Sequence, residues 1–222
     1  MPSYASLEFQ LSRLVQLLNG DSAAAVGSPE AAEAALSKLA DAVAAGSAAG
    51  VSTISEVIVG AGGAPNISFS GIPNTYKSLH LEVTARGDYN DIQINLLMRV
   101  NGDSGFSYNS QAAAQYAGPG DTLGIIDEAS GNSMTLARIS ANTAPANTFS
   151  AVDIRMHNYA DTTLFKTFLS VFAYKIGSAA SNQASGQGGG TWQSMSAINS
   201  ILLMPFSGNF VQYTRATLWG IK

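Results

Sequence analysis

Hydrophobic positions along this chain follow a helical period as far as Gly50 and a period of two beyond it. In residues 6–18, Leu7, Leu11, Leu14 and Leu18 recur at spacings of 4, 3 and 4 and make one apolar seam, widened by Val15. Asn19-Gly20-Asp21 ends that helix. A second is predicted to start at Ser28 as N-cap, with Pro29 in its first turn and Glu30 and Glu33 near the positive end of its dipole. Ala32, Leu36, Leu39 and Val43 repeat the 4, 3, 4 spacing, and Gly46 and Gly50 bracket the exit. Helices this short are marginal alone in water, so the seams need a partner surface. The candidates are each other, the remainder of the chain, an oligomeric stalk, or a docking site on a larger assembly.

After Gly50 the pattern is that of strands. Leu79, Leu81, Val83 and Ala85 alternate with His80, Glu82, Thr84 and Arg86. Ile92, Ile94, Leu96, Met98 and Val100 do the same against Gln93, Asn95 and Arg99, before the turn Asn101-Gly102-Asp103. Val152, Ile154 and Met156 alternate with Asp153, Arg155 and His157. Leu164–Tyr174 is apolar at nearly every position, which predicts a strand buried on both faces, centrally or at a subunit contact. Further strands are expected near 53–59, 66–70, 133–139, 197–204 and 211–221. Residues 116–121 and the Ser-, Gln- and Gly-rich stretch 178–190 read as loops, the second as a mobile tip. About eight to ten strands at this spacing predict an antiparallel β-sandwich, jelly-roll-like, behind a short N-terminal α-helical segment. The predicted division is 1–50, a helical anchor or oligomerisation segment, and 51–222, a display domain.

Charge narrows the choice of partners. Only 12% of residues are charged, about half the usual share, and the net charge is −4. Residues 1–50 hold two basic and five acidic side chains, and the remainder nine and ten, with no basic stripe. A nucleic-acid partner is not expected. With no cysteine, neither disulfides nor thiolate metal sites are available. The opening Met1-Pro2-Ser3-Tyr4 does not resemble a secretory leader, and no apolar run reaches membrane-spanning length. Synthesis in a cytoplasm and no membrane insertion are therefore expected.

Little in the sequence points to catalysis. The two histidines, His80 and His157, have no second His at ligand spacing, and no Gly-x-Ser-x-Gly elbow is present. The run Gly186–Gly190 has no Lys-Ser or Lys-Thr after it and is no phosphate loop. Asp88, Asp91 and Asp103 are calcium candidates if their turns meet at one end, though turn acids are more often turn formers. Glu82 and Asp153 are a conceivable glycosidase pair that nothing else marks. The chain is read as a non-enzyme with no cofactor and no metal. Rings beside turns, with Asn and Gln nearby, are more suggestive: Tyr89, Tyr108, Tyr116 and Trp192. Flat rings flanked by amides suit a neutral glycan, whose C–H faces stack and whose hydroxyls hydrogen-bond. The glycan-binding candidates are Tyr108, Tyr116 and Trp192; the alternative is that these rings close the ends of the sandwich or bury at a subunit contact.

Several segments, in order, resemble a β module of tailed-bacteriophage virion proteins. They are Ile67-Ser68-Phe69-Ser70-Gly71-Ile72-Pro73 with Leu79-His80-Leu81, Arg99-Val100-Asn101-Gly102-Asp103-Ser104-Gly105 with Tyr108, Met156-His157-Asn158-Tyr159, Ile198-Asn199-Ser200-Ile201, and Ala216-Thr217-Leu218-Trp219-Gly220-Ile221. Together they span roughly residues 53–222, and residues 1–50 lie outside the match. The resemblance implies a virion structural protein of fibre, tail or capsid-surface type and supplies no catalytic residues. Because Tyr108 belongs to a matched segment, it can serve the fold rather than a ligand. The expected role is a fibre or tail component displaying its sandwich to host-surface glycan and joined to other virion proteins through residues 1–50. Leu7, Leu11, Leu14, Leu18, Leu36 and Leu39 are the anchor or oligomer contacts. A capsid decoration or cement protein and a free lectin-like module are the alternatives. A homotrimer is expected, from the leucine seams, the strand Leu164–Tyr174 and analogy with fibres.

Overall fold

The computed structural model describes Ser37 and residues 50–117, 122–177 and 182–222. The predicted helices, with Leu7, Leu11, Leu14, Leu18, Leu36 and Leu39, lie outside the described residues. Where the sequence alternates, the backbone is extended: β1 (Val51–Ile58), β2 (Ile67–Phe69), β3 (Ser78–Ala85), β4 (Gln93–Val100), β5 (Tyr108–Ala117) and β6 (Thr122–Gly131). The series continues with β7 (Met134–Ser140), β8 (Ser150–His157), β9 (Lys166–Lys175), β10 (Gln183–Trp192), β11 (Ile201–Pro205) and β12 (Arg215–Ile221). The fold is mainly β. Its antiparallel strands make an eight-stranded sheet, β1-β12-β3-β8-β9-β10-β5-β6, and a four-stranded sheet, β2-β11-β4-β7.

Setting aside the hairpins β5–β6 and β9–β10 leaves four strands per sheet, in the orders β1-β12-β3-β8 and β2-β11-β4-β7. Between these eight strands the chain changes sheet at every step except β4 to β7. Each crossing turns one apolar face inward, so Leu79, Leu81 and Val83 of β3 share a core with Leu96, Met98 and Val100 of β4. The result is sandwich-like, with the two hairpins lengthening one sheet beyond the other.

β7 lies over that extension. Among the named strands it pairs only with β4; beyond that ladder the Gly87 amide donates to the Ser140 carbonyl at 2.9 Å. Beneath it, the inward positions of β9, β10 and β5 are small: Ser170, Gly186, Gly188, Gly190, Ser110 and Ala112. A Cβ at Gly188 would lie 2.8 Å from Ser170 Oγ, 2.9 Å from the Leu136 carbonyl oxygen and 3.0 Å from the Ala112 Cβ. Glycine there lets the β7 backbone approach the larger sheet. Buried serines complete the contact. Ser110 Oγ accepts from the Thr135 amide at 2.9 Å, Ser150 Oγ accepts from the Ser140 amide at 2.7 Å, and the Ser170 hydroxyl donates to the Leu136 carbonyl. Backbone groups that would otherwise be buried without partners are thereby satisfied.

Three expectations are corrected here. Residues 178–190 are not one mobile loop, because Gln183–Trp192 form β10, hydrogen-bonded on both sides to β9 and β5. Gly186, Gly188 and Gly190, which read as flexibility, fill positions where a Cβ would meet a neighbour at 3.0 Å or less. The strand Leu164–Tyr174 is not buried on both faces. It begins at Lys166, and while Phe168, Phe172 and Tyr174 face the core, Leu169 and Val171 are exposed. Tyr116 and Ala117 belong to β5 rather than to a loop. There are also twelve strands among the described residues, more than the alternation alone predicts.

The packing beneath β7 makes a definite stability forecast. Gly188→Ala should destabilise residues 51–222 by about 1–3 kcal/mol through overpacking. Ser170→Ala should cost a similar ~1–3 kcal/mol by stranding the Leu136 carbonyl. Gly189 faces the open side of the sheet, so Gly189→Ala should cost less than either. Urea titration of the three variants measures the order.

Candidate functional site

The connections 70–77, 101–107, 158–165 and 193–200 gather at one end of the two sheets. Asn101 and Gly102 turn there with φ of 52° and 67°. Asn101 then ties two loops together: its Oδ1 accepts from the amides of Asn199 (2.8 Å) and Ser200 (3.2 Å), and its Nδ2 donates to the Ala197 carbonyl (2.7 Å). The Tyr108 hydroxyl accepts from the Val100 amide at 3.1 Å and donates to the Asp103 carbonyl at 3.0 Å. Burial pushes that hydroxyl's pKa up. Trp192 stacks on Tyr108, ring centroids 6.5 Å apart, and its Nε1–H donates to Asp103 Oδ2 at 2.7 Å. Ser107 Oγ donates to the same oxygen at 2.5 Å, and the Gly105 amide to Asp103 Oδ1 at 2.8 Å. These donors, Ser107 first and then Trp192, hold the Asp103 carboxyl below its ordinary pKa. The Ile198 amide donates to the Tyr159 carbonyl at 2.8 Å, the Ile72 amide to the Asn199 carbonyl at 3.0 Å, and the Tyr159 hydroxyl to the Pro73 carbonyl. Residues 72–73, 100–108, 159, 192 and 197–200 therefore meet in one knot, where they serve the fold.

The glycan candidates are not brought together. Tyr108 and Trp192 are buried in this knot, and their faces are taken up by each other and by the core. In the described structure these two rings lie at one end of the sheets with little surface in solvent. Tyr116 is half-buried near the far end of β5, where its hydroxyl accepts from the Arg138 guanidinium and lies 3.4 Å from the Tyr174 hydroxyl. Burial pushes the Tyr174 hydroxyl's pKa well up.

The acidic candidates also separate. Asp88 and Asp91 sit between β3 and β4, at the opposite end from Asp103. The expectation that these turns meet is therefore corrected. Asp88 accepts from the Asn209 amide (2.7 Å) and side-chain amide (3.0 Å), which hold its carboxyl below the ordinary value. Among the described residues no cluster of His, Asp and Glu could hold a metal ion. Glu82 and Asp153 are cross-strand partners on β3 and β8. Asp153 is engaged by His80 at 2.5 Å and by Arg155 at 3.4 Å.

Several apolar surfaces remain open, among them Phe106, Leu164, Phe165 and Met195 on the loops around the knot. On the outward side of β9, β10, β5 and β6, Leu169, Val171 and Ile125 are exposed, and strand register places Gln187 and Ala113 between Val171 and Ile125. At the end opposite the knot, three rings project from loops: Tyr213 is 69% exposed, Phe206 67% and Tyr89 45%. Phe206 and Tyr213 are not among the sequence candidates. Phe206 carries a signal, an aromatic residue beside Gly208 and Asn209, whereas Tyr213 falls inside the strand expected near 211–221, which begins only at Arg215.

No family model matches this sequence, and no curated protein does. Among solved structures, the structure of infectious bursal disease virus Gt strain is similar at 17% identity, with a TM-score of 0.11. The match covers 76% of this chain and 40% of that one, so the chain spans less than half the length of that protein. A likeness at that level carries no argument about fold or function. Among the described residues no helix is long and apolar enough to cross a membrane.

If Trp192 is a core element, Trp192→Ala should cost about 3–5 kcal/mol of stability, and Asp103→Ala should destabilise in the same direction by freeing the Trp192 N–H. Thermal melts of both variants check this; an unchanged melting temperature for Trp192→Ala would contradict the placement.

Proposed function

We propose that this chain is a non-enzymatic virion structural protein, a fibre, tail or capsid-surface component that assembles through the open side of its larger sheet. The observation that carries the reading is the strand connectivity. Without the two inserted hairpins, the orders β1-β12-β3-β8 and β2-β11-β4-β7 follow the two four-stranded sheets of a jelly roll, an architecture shared by viral shell proteins and lectins. That step is fold-level analogy. The resemblance of the knot segments to phage virion modules supports the virion side of it.

The open face supports assembly. Leu169 and Val171 are more than half exposed on a strand whose other face is core; their neighbours across β10 and β5 are Gly, Gln and Ala, while Arg155 and Asp153 of β8 border them on the other side. A second copy of the chain is the proposed occupant, and residues 1–50 the proposed link to other virion proteins. Burial of Tyr108 and Trp192 removes the main support for a lectin built on those rings.

The experiment is incorporation into particles. In cells producing the virus that encodes it, the chain should appear in purified particles by mass spectrometry and be labelled by an antibody to residues 51–222. Val171→Asp should fold, remain monomeric in light scattering and be depleted from particles. Absence of the natural chain from purified particles would overturn the virion reading. Val171→Asp incorporated at the natural level would overturn the assembly face.

A further inference from the structure

We propose that the loop end carrying Tyr89, Phe206 and Tyr213 is a binding platform for a neutral glycan. The platform is built from the connections 59–66, 86–92, 141–149 and 206–214. These loops are fastened to one another by main-chain bonds. The amides of Ala64 and Phe210 donate to each other's carbonyls at 3.0 and 2.8 Å, the Val211 amide donates to the Arg86 carbonyl at 3.0 Å, and the Asn142 amide donates to the Tyr89 carbonyl at 3.0 Å. Arg86, buried without a carboxylate partner among the bonds formed here, donates to the carbonyls of Asn142, Ala144, Pro145 and Thr148 at 2.6–3.1 Å. Rings mounted on such a base are held in place before a ligand arrives, which lowers the ordering cost of binding.

Tyr213 supplies a second, independent sign. Its φ is +72°, a region that a bulky residue adopts only at a cost. It is held there by its own amide, which donates to the Val59 carbonyl at 3.0 Å, and by the buried Thr214 that follows. Glycine would sit at this position without strain. The chain instead places there a tyrosine whose ring is mostly in solvent and contributes little to the core. Strain kept for the sake of an exposed ring is accounted for by what the ring contacts.

The chemistry selects the ligand class. No lysine lies in these four loops, and their one arginine is turned inward to carbonyls. The charges that reach the surface are Asp88 and Asp91, with Asp88 bonded to Asn209 and Asp91 accepting from the Ile92 amide at 2.6 Å. Asn90, Asn142 and Asn147 are exposed on the same loops as the rings or beside them. Exposed rings beside amides suit sugar C–H faces and hydroxyls, while the two carboxylates disfavour sialylated or sulfated glycans. The site does not depend on the virion reading, because binding is measured on the isolated chain.

The test uses the full chain on an array of neutral and acidic oligosaccharides, followed by saturation-transfer NMR with any neutral oligosaccharide retained. Binding should be confined to neutral glycans. Tyr213→Gly should melt no lower than the natural chain, since it relieves the positive φ, yet bind roughly tenfold to a hundredfold more weakly. Tyr89→Ala should weaken binding without unfolding the protein and keeps the test open should Tyr213→Gly misfold. Several outcomes would overturn the proposal: no neutral oligosaccharide bound at millimolar concentration, preference for acidic glycans, or unchanged affinity in Tyr89→Ala and in a folded Tyr213→Gly. A change of oligomeric state in Tyr213→Gly, with no glycan bound by the natural chain, would make the surface a contact between copies instead.

Discussion

β7 is an edge strand by pairing and a core strand by position. Among the named strands it pairs with β4 alone, with one further main-chain bond at its end from the Gly87 amide to the Ser140 carbonyl, yet nearly every residue in it is buried. An edge in that situation has backbone groups with neither strand partner nor water, a cost the fold must meet. It does so with side chains from the opposite sheet: Ser110 and Ser150 accept from two β7 amides, and Ser170 donates to a β7 carbonyl. Those hydroxyls reach because Gly188 and Gly190 leave no Cβ between β10 and the strand above. The composition of β5, β9 and β10 follows from this one contact: large residues flank the trough, and small or hydroxyl-bearing residues line it.

The contact also explains why the larger sheet is longer. β9–β10 and β5–β6 extend it past β8, and β7 covers part of the inward face of that extension. Among the described residues nothing covers Leu169 and Val171 on its outward face, where both are exposed. The two ends of the sheets divide their roles in a similar way. One is tied by Asn101, Asp103, Tyr108 and Trp192 into a knot whose polar groups are spent on the fold, with Phe106, Leu164, Phe165 and Met195 exposed on the loops around it. The other is pinned from within by Arg86 and keeps its rings outside. A surface for assembly and a surface for a ligand are thus available on different parts of one body.

The strands that can be read from the sequence are those with one wet and one dry face. β3, β4 and β8 alternate cleanly because water is on one side of each, and period-two patterning reports that condition. β5 and β10 are hidden because packing against β7 requires small residues. Ala112, Ala114 and the glycines of β10 have low strand propensity and read as loop or as nothing in particular. Leu164–Tyr174 misleads in the opposite sense. Apolar residues on both faces imply burial on both faces, whereas one face is open in the isolated unit. For the site, a ring beside a turn is a sound signal of a special position, but it does not separate a ring that plugs an end from one that projects. Asp103 decides this for Trp192 by accepting its N–H, a pairing across 89 positions of sequence that no local pattern encodes.

The most direct measurement of this account is native-state hydrogen exchange at the Thr135 and Ser140 amides, which donate to the Ser110 and Ser150 hydroxyls. If β7 is seated by serine hydroxyls, both amides should exchange only through global unfolding, as slowly as the central amides of β9. Ser110→Ala should then speed Thr135 by much more than Ser140. Exchange of both amides in the natural chain at the rate of an exposed edge such as β1 would contradict the seating of β7.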